Sequence, residues 1–187
     1  MNKAIFLDRD GVCVKDVDNF DHKNKIVVLP GVPEALHLLT QAGFLEFIVT
    51  NQPVVARGIL TEKQVEKINT KIVQMISSGG GRIVKSYFCP HHPNATLEPY
   101  RKLCDCRKPQ AGMLFQAAKE YSVDLPYSYM VGDMPSDITT GRNAGCKTIL
   151  IKSPANHKII QTGKPFERYE PDYRFDNLLE AARFLTQ

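Results

Sequence analysis

A chain of 187 residues, 43% hydrophobic and 24% charged, is long enough to bury one proper core, and its composition excludes wholesale disorder. Its 24 Lys and Arg against 20 Asp and Glu give a net charge of +4, spread along the chain with no basic run, which suits an anionic small molecule and speaks against a nucleic-acid partner. The apolar run near the N-terminus, Ala4-Ile5-Phe6-Leu7, is too short for a secretory signal or a membrane span, so a cytoplasmic protein with no membrane partner is expected. We expect a single domain over 1–187, as a monomer.

Taken in chain order, short apolar runs bounded by polar or turn residues predict strands over Ala4-Leu7, Phe47-Thr50, Ile83-Phe88, Tyr129-Val131 and Thr148-Ile151. Between them, helical spacing predicts helices over Pro33-Ala42 before Gly43, Glu62-Ser77 behind Thr61 as N-cap, Gly112-Tyr121, and Asp137-Asn143 before Gly145; a last helix covers Asn177-Leu185. Strands alternating with helices imply an α/β fold, a Rossmann-like open parallel sheet with helices on both faces. Ligand sites of such sheets lie at the carboxyl ends of the strands. Asp8, Thr50 and Gly132-Asp133 each follow or end a predicted strand, so they should converge.

Two stretches break the alternation. Cys89 to Pro109 holds four prolines, two histidines and three of the five cysteines without a helical or strand period, and a structureless loop of that length needs a reason. Ser153 to Asp172 is irregular and polar, and reads as surface loop.

Asp8-Arg9-Asp10-Gly11 places two carboxylates two residues apart at the end of the first strand. One can attack phosphorus while the other protonates the leaving oxygen and later deprotonates water. Acids this close repel, and a shared divalent cation would relieve that; Asp133 could complete a hard oxygen site suited to Mg²⁺. Phosphoryl transfer also needs donors on the equatorial oxygens. Thr50 offers a hydroxyl, Asn51 and Gln52 offer backbone amides, and Lys108 offers a compact positive charge. Each piece alone has a bland reading, as a solvated turn, a helix cap or a surface lysine; together, in order and at strand ends, they point to catalysis.

In the long loop, Cys89-Pro90-His91-His92-Pro93 and Cys104-Asp105-Cys106 offer thiolates and imidazoles in two clusters. Four such ligands suit tetrahedral Zn²⁺, which would organise a segment too poor in apolar residues to fold by burial. The residues alone leave His91 and His92 both open. Cys13 and Cys146 lie outside these clusters and read as small buried residues.

Residues 5–11 (IFLDRDG), 50–52 (TNQ), 107–109 (RKP) and 131–137 (VGDMPSD) resemble the four motifs of the haloacid dehalogenase superfamily, and almost the whole chain resembles the D-glycero-D-manno-heptose 1,7-bisphosphate 7-phosphatase family. The resemblance implies a capless haloacid dehalogenase-type domain and a phosphatase dependent on Mg²⁺. Asp8 and Asp133 would bind the metal through their carboxylates and Asp10 through its backbone carbonyl. Thr50 and Lys108 would hold the phosphoryl group, and Arg107 would help recognise the substrate. It also implies a zinc loop with Cys89, His91, Cys104 and Cys106 as ligands. Three departures stand out: Pro53 after Thr50-Asn51-Gln52, Met134 where the family usually has lysine, and Asp16-Val17-Asp18-Asn19, which keeps the family's first acid, Asp16, but lacks its His-Gly-Tyr. Asp16, Asn51, Gln52 and Arg107 are therefore the candidate substrate-binding residues.

A sugar-phosphate substrate is the first expectation. Histidinol-phosphate phosphatases share these motifs, although the long spacing between the two zinc pairs favours the sugar reading; a broader sugar-phosphate phosphatase is a further alternative. A non-catalytic phosphosugar-binding module would have no need of a nucleophile beside an acid.

Overall fold

The computed structural model describes residues 1–15, 26–154 and 170–187. Among them, six parallel strands form one sheet: β1 (Lys3–Leu7), β2 (Phe44–Asn51), β3 (Lys85–Cys89), β4 (Tyr129–Gly132), β5 (Lys147–Ile151) and β6 (Tyr173–Phe175). Their order is β3-β2-β1-β4-β5-β6, with β1 at the centre. The helices are α1 (Val32–Gln41), α2 (Glu62–Ser78), α3 (Gly112–Tyr121), α4 (Pro135–Ala144) and α5 (Leu178–Leu185). None of these helices is long and apolar enough to cross a membrane.

Alternation along the central strands explains why both faces are covered. Ile5 and Leu7 of β1 pack with Leu36 and Leu39 of α1, Val65, Ile72 and Ile76 of α2, and Ala181 and Ala182 of α5. Ala4 and Phe6, one residue out of phase, pack on the other face with Met113, Leu114 and Ala117 of α3. Phe6 stacks on Phe47 of β2 at 5.5 Å between ring centroids. Each fully buried Leu or Ile contributes about 2 kcal/mol of transfer free energy, so the central strands read as largely continuous apolar runs, with the buried Glu46 of β2 as an exception.

Local signals set several helix ends. Thr61 Oγ1 accepts from Gln64 N while Gln64 Oε1 accepts from Thr61 N, a reciprocal cap on α2. Gly145 ends α4 in the left-handed conformation that glycine tolerates. Helix α4 starts two residues before the expected Asp137, because Pro135 suits the first helical turn, where its missing N–H costs nothing.

β6 is an element that the sequence did not suggest. It is three residues long and only partly buried, so it carries no hydrophobic run. Asp172 pins it instead: its Oδ2 accepts from both the backbone N–H and the Oγ1 of Thr148, each at 2.7 Å. Ser153, read as surface loop, is 6% exposed and faces the site described below.

Candidate active site

The strand register brings the motifs level. Leu7 of β1 lies beside Ile48 of β2 and Val131 of β4, so the chain leaves all three strands at the same edge. Asp8 N donates to Val131 O at 2.9 Å, which ties the nucleophile loop to β4. Gly11, at φ +81°, lets that loop turn back, and a Cβ at this position would collide with the Asp133 carboxylate. The result is a cleft of about 250 Å³ lined by Asp8, Asp10, Thr50, Lys108 and Asp133, with Asn51, Met134 and Ser136 also in its wall. A larger cavity of about 740 Å³, lined by Val12, Leu29, Val32 and Leu178 among others, includes none of Asp8, Asp10 or Asp133.

Lys108 is almost fully buried, 4% exposed. Its Nζ lies 2.8 Å from Asp8 Oδ1 and 2.6 Å from Asp137 Oδ1. Asn51 fixes this lysine by pairing like a peptide group: its Nδ2 donates to Lys108 O and its Oδ1 accepts from Lys108 N, both at 3.0 Å. Burial alone would lower the Lys108 pKa, but the Asp137 and Asp8 carboxylates outweigh it and hold the ammonium well above its ordinary range. Burial pushes the Asp8 carboxyl up to about 8, with Asp137 and Asp10 adding to the rise and Lys108 opposing it.

Asp10 has its own cation. Arg9, 1% exposed, donates from Nη2 to Asp10 Oδ2 at 2.9 Å and from Nε to both carboxylate oxygens at 3.2 Å. Gln52 Nε2 donates to Asp10 Oδ2 and to Thr50 Oγ1, each at 2.9 Å, and so links the acid to the strand-end hydroxyl.

Asp137 is the functional candidate that sequence reasoning passed over, reading it as the first residue of a helix. It is fully buried, and its Oδ2 accepts from Met134 N at 3.0 Å. A Cβ on Gly132 would collide with its side chain, so the glycine makes room for it. The usable signal was an acid in the first turn of a helix whose start lies at a strand's carboxyl end. Ser153 was also missed: its Oγ donates to Asp133 Oδ2 at 2.7 Å. One expectation is corrected. The backbone N–H of Gln52 donates to Cys89 O at 2.8 Å, so it is committed to the sheet edge and not to a phosphate. Arg107 donates from Nη1 to His91 O at 3.0 Å. Asp16 lies outside the described residues.

The donor sets fit the two expected metals. Asp8, Asp133 and Asp137 can each offer an oxygen, all within 4.8 Å of one another. Three carboxylates gathered in one place form an all-oxygen donor set of the kind a hard divalent cation takes, with Lys108 beside Asp8 and Asp137 and Arg9 beside Asp10. Cys89, His91, Cys104 and Cys106 form the second group. Cys106 Sγ lies 3.0 Å from Cys89 Sγ, 3.3 Å from Cys104 Sγ and 3.4 Å from His91 Nδ1. Thiol hydrogen bonds, from Cys89 first, pull Cys106 down to about 5, toward the thiolate that a soft metal needs. His92 is not in the group; its Nδ1 accepts from Asn94 N at 3.1 Å. Cys13 and Cys146 are buried away from it.

A parallel sheet carrying this array of acids, a hydroxyl and a lysine at its carboxyl edge defines a haloacid dehalogenase-like hydrolase, and the family model described as HAD-hydrolase-like matches residues 105–181. A D-glycero-beta-D-manno-heptose-1,7-bisphosphate 7-phosphatase of Photorhabdus laumondii is 38% identical over 168 residues, 87% of this chain and 82% of that one. Its counterpart in Haemophilus influenzae is 36% identical and is aligned over 100% of this chain and 98% of its own length. The chain belongs to the D-glycero-beta-D-manno-heptose-1,7-bisphosphate 7-phosphatase family. Among solved structures, the D,D-heptose 1,7-bisphosphate phosphatase from B. bronchiseptica, complexed with magnesium and phosphate, superposes with a TM-score of 0.83 at 32% identity, covering 98% of this chain and 97% of that one.

Proposed function

We propose that the chain is a magnesium-dependent phosphatase that removes the 7-phosphate of D-glycero-D-manno-heptose 1,7-bisphosphate through a phosphoryl intermediate on Asp8. The observation that carries this reading is the convergence of Asp8, Asp10, Thr50, Lys108 and Asp133 on one cleft, in a chain whose relatives are named for that reaction.

In the first step an Asp8 carboxylate oxygen attacks phosphorus. The bond from phosphorus to the sugar oxygen breaks, and that oxygen takes the proton of the Asp10 carboxyl. In the second step the Asp10 carboxylate takes a proton from water as the water oxygen attacks phosphorus. The bond to Asp8 then breaks, inorganic phosphate leaves, and both acids are restored. Thr50 Oγ1 and Lys108 Nζ bind the equatorial oxygens, and Lys108 also faces the nucleophile throughout. Mg²⁺ held by Asp8, Asp133 and the Asp10 carbonyl would supply the charge that screens the phosphate from the attacking carboxylate.

Arg107 and Asp16 belong to substrate binding in this reading, and Asn51 and Gln52 serve it indirectly, Asn51 through its grip on Lys108 and Gln52 through its bonds to Asp10 and Thr50. Zn²⁺ at Cys89, His91, Cys104 and Cys106 would close the long loop and fix Arg107 and Lys108, which follow directly in sequence. Its role is positional, because a four-ligand site has no open position. The enzyme works as a single-domain cytoplasmic monomer, with the sugar phosphate as its partner.

The test is phosphate release with Mg²⁺ from both anomers of the heptose 1,7-bisphosphate, fructose 1,6-bisphosphate and histidinol phosphate. Clear preference for a heptose bisphosphate is expected. Equal or faster release from the hexose or from histidinol phosphate would overturn the substrate assignment.

A further inference from the structure

Arg9 is the largest of the fully buried side chains, and an arginine enclosed to 1% exposure needs partners for every face of its guanidinium. Two of its nitrogens clamp the Asp10 carboxylate. Nη1 turns away from the cleft and donates to Oδ1 of Asn69 at 2.9 Å. Asn69 lies sixty positions further along the chain, on the inner side of α2, and is 4% exposed. It is the polar member of a stripe that otherwise buries Val65, Ile72 and Ile76. An apolar residue there would serve packing equally well, so the amide calls for another explanation.

The clamp also distinguishes the two oxygens of Asp10. Oδ2 accepts from Arg9 Nη2 and from Gln52 Nε2, both at 2.9 Å, and from Arg9 Nε at 3.2 Å. Among the described residues, Oδ1 has one longer contact, to Arg9 Nε at 3.2 Å. Oδ2 is thus held, while Oδ1 is left for a proton that has to travel to the sugar oxygen and back from water.

We infer that Asn69 and Arg9 are positioning residues for Asp10, fixing the carboxylate plane so that Oδ1 exchanges the proton. The inference rests on the acid/base role given to Asp10 above. Neither residue touches the substrate. Asn69 orients Arg9, and Arg9 orients the acid.

A positioning role of this kind is read through the leaving group. A sugar alkoxide leaves only with a proton from Asp10, whereas p-nitrophenolate leaves without one. Asn69→Leu keeps the packing volume and removes the acceptor; Asn69→Asp keeps an acceptor for Nη1. Turnover is measured for each variant on heptose 1,7-bisphosphate and on p-nitrophenyl phosphate, beside Asp10→Asn as reference. Asn69→Leu is expected to lower kcat on the sugar phosphate about tenfold relative to p-nitrophenyl phosphate, with KM little changed, and Asn69→Asp to hold that ratio within about threefold of wild type. If Asp10→Asn shows the selective loss and Asn69→Leu depresses both substrates equally, the inference is overturned while the acid/base assignment stands. If Asp10→Asn shows no selective loss, the acid/base assignment fails and takes this inference with it.

Discussion

Lys108 and Asp137 form an ion pair closed to solvent, with Nζ 2.6 Å from Oδ1 and side-chain exposures of 2% and 0%. With Asp8, the Asp137 carboxylate outweighs burial and holds the Lys108 ammonium well above its ordinary range. A buried cation that loses one of two carboxylate partners is costly, typically about 3 kcal/mol. Asp137→Asn keeps an oxygen for Met134 N but removes that charge. We expect a clear fall in melting temperature together with a fall in kcat as Lys108 loses its anchor. A variant with wild-type melting temperature and kcat would show that Asp8 alone suffices to hold the lysine.

The protonation of Asp8 predicts how magnesium binding depends on pH. Burial lifts its carboxyl to about 8 when only protein groups surround it. A cation bound there must displace that proton, so Mg²⁺ affinity should rise about tenfold per pH unit up to about 8 and flatten above it. The same sign applies to stability. The folded state disfavours ionised Asp8, so without divalent cation stability declines as pH climbs toward 8. Mg²⁺ should therefore raise the melting temperature more at pH 8 than at pH 6, and an equal rise at both would contradict the assignment.

Glu46 offers a stability test remote from the chemistry. It sits on β2 with Oε1 accepting from Thr40 Oγ1 at 2.9 Å, while Oε2 is buried without a hydrogen-bond partner. Burial raises its carboxyl from 4.5 to about 7. The folded protein therefore holds a proton that the unfolded chain gives up, and stability is lost as pH rises from about 4.5 to about 7. Glu46→Gln removes the charge and should stabilise the protein above pH 7 by about 1–2 kcal/mol, with the gain vanishing at about pH 4. Thermal melts at the two pH values check this.

At the thiol cluster, Cys104→Ser should lower zinc content measured by elemental analysis and make the segment between Cys89 and Pro109 easier to cleave by limited proteolysis. Loss of activity should follow the loss of zinc, because Arg107 and Lys108 hang from this loop. Unchanged metal stoichiometry would remove Cys104 from the ligand set.

The sheet was legible because its central strands are apolar on both faces, so Ala4-Leu7, Phe47-Thr50 and Tyr129-Val131 stand out from polar surroundings. β6 was not legible: Tyr173–Phe175 has no hydrophobic run, and what holds it is the pairing of Asp172 with Thr148, a contact between distant residues that no local pattern encodes. The site divides the same way. Asp8, Asp10, Thr50, Lys108 and Asp133 were readable because each is a chemically distinctive residue at a strand end or beside the cysteine loop. Asp137, Ser153 and Asn69 were not, because an acid in a first turn, a serine in a polar stretch and an asparagine on a helix are ordinary until the fold brings them to Lys108, Asp133 and Arg9.

The central claim is that the phosphoryl group passes through Asp8. The most direct measurement is rapid acid quench of the enzyme turning over heptose 1,7-bisphosphate with Mg²⁺, followed by mass analysis of the peptide that contains Asp8. A phosphoryl adduct on that peptide, absent from Asp8→Asn together with turnover, is the predicted result. Phosphate release by Asp8→Asn near the wild-type rate, with no adduct on the wild-type peptide, would contradict it.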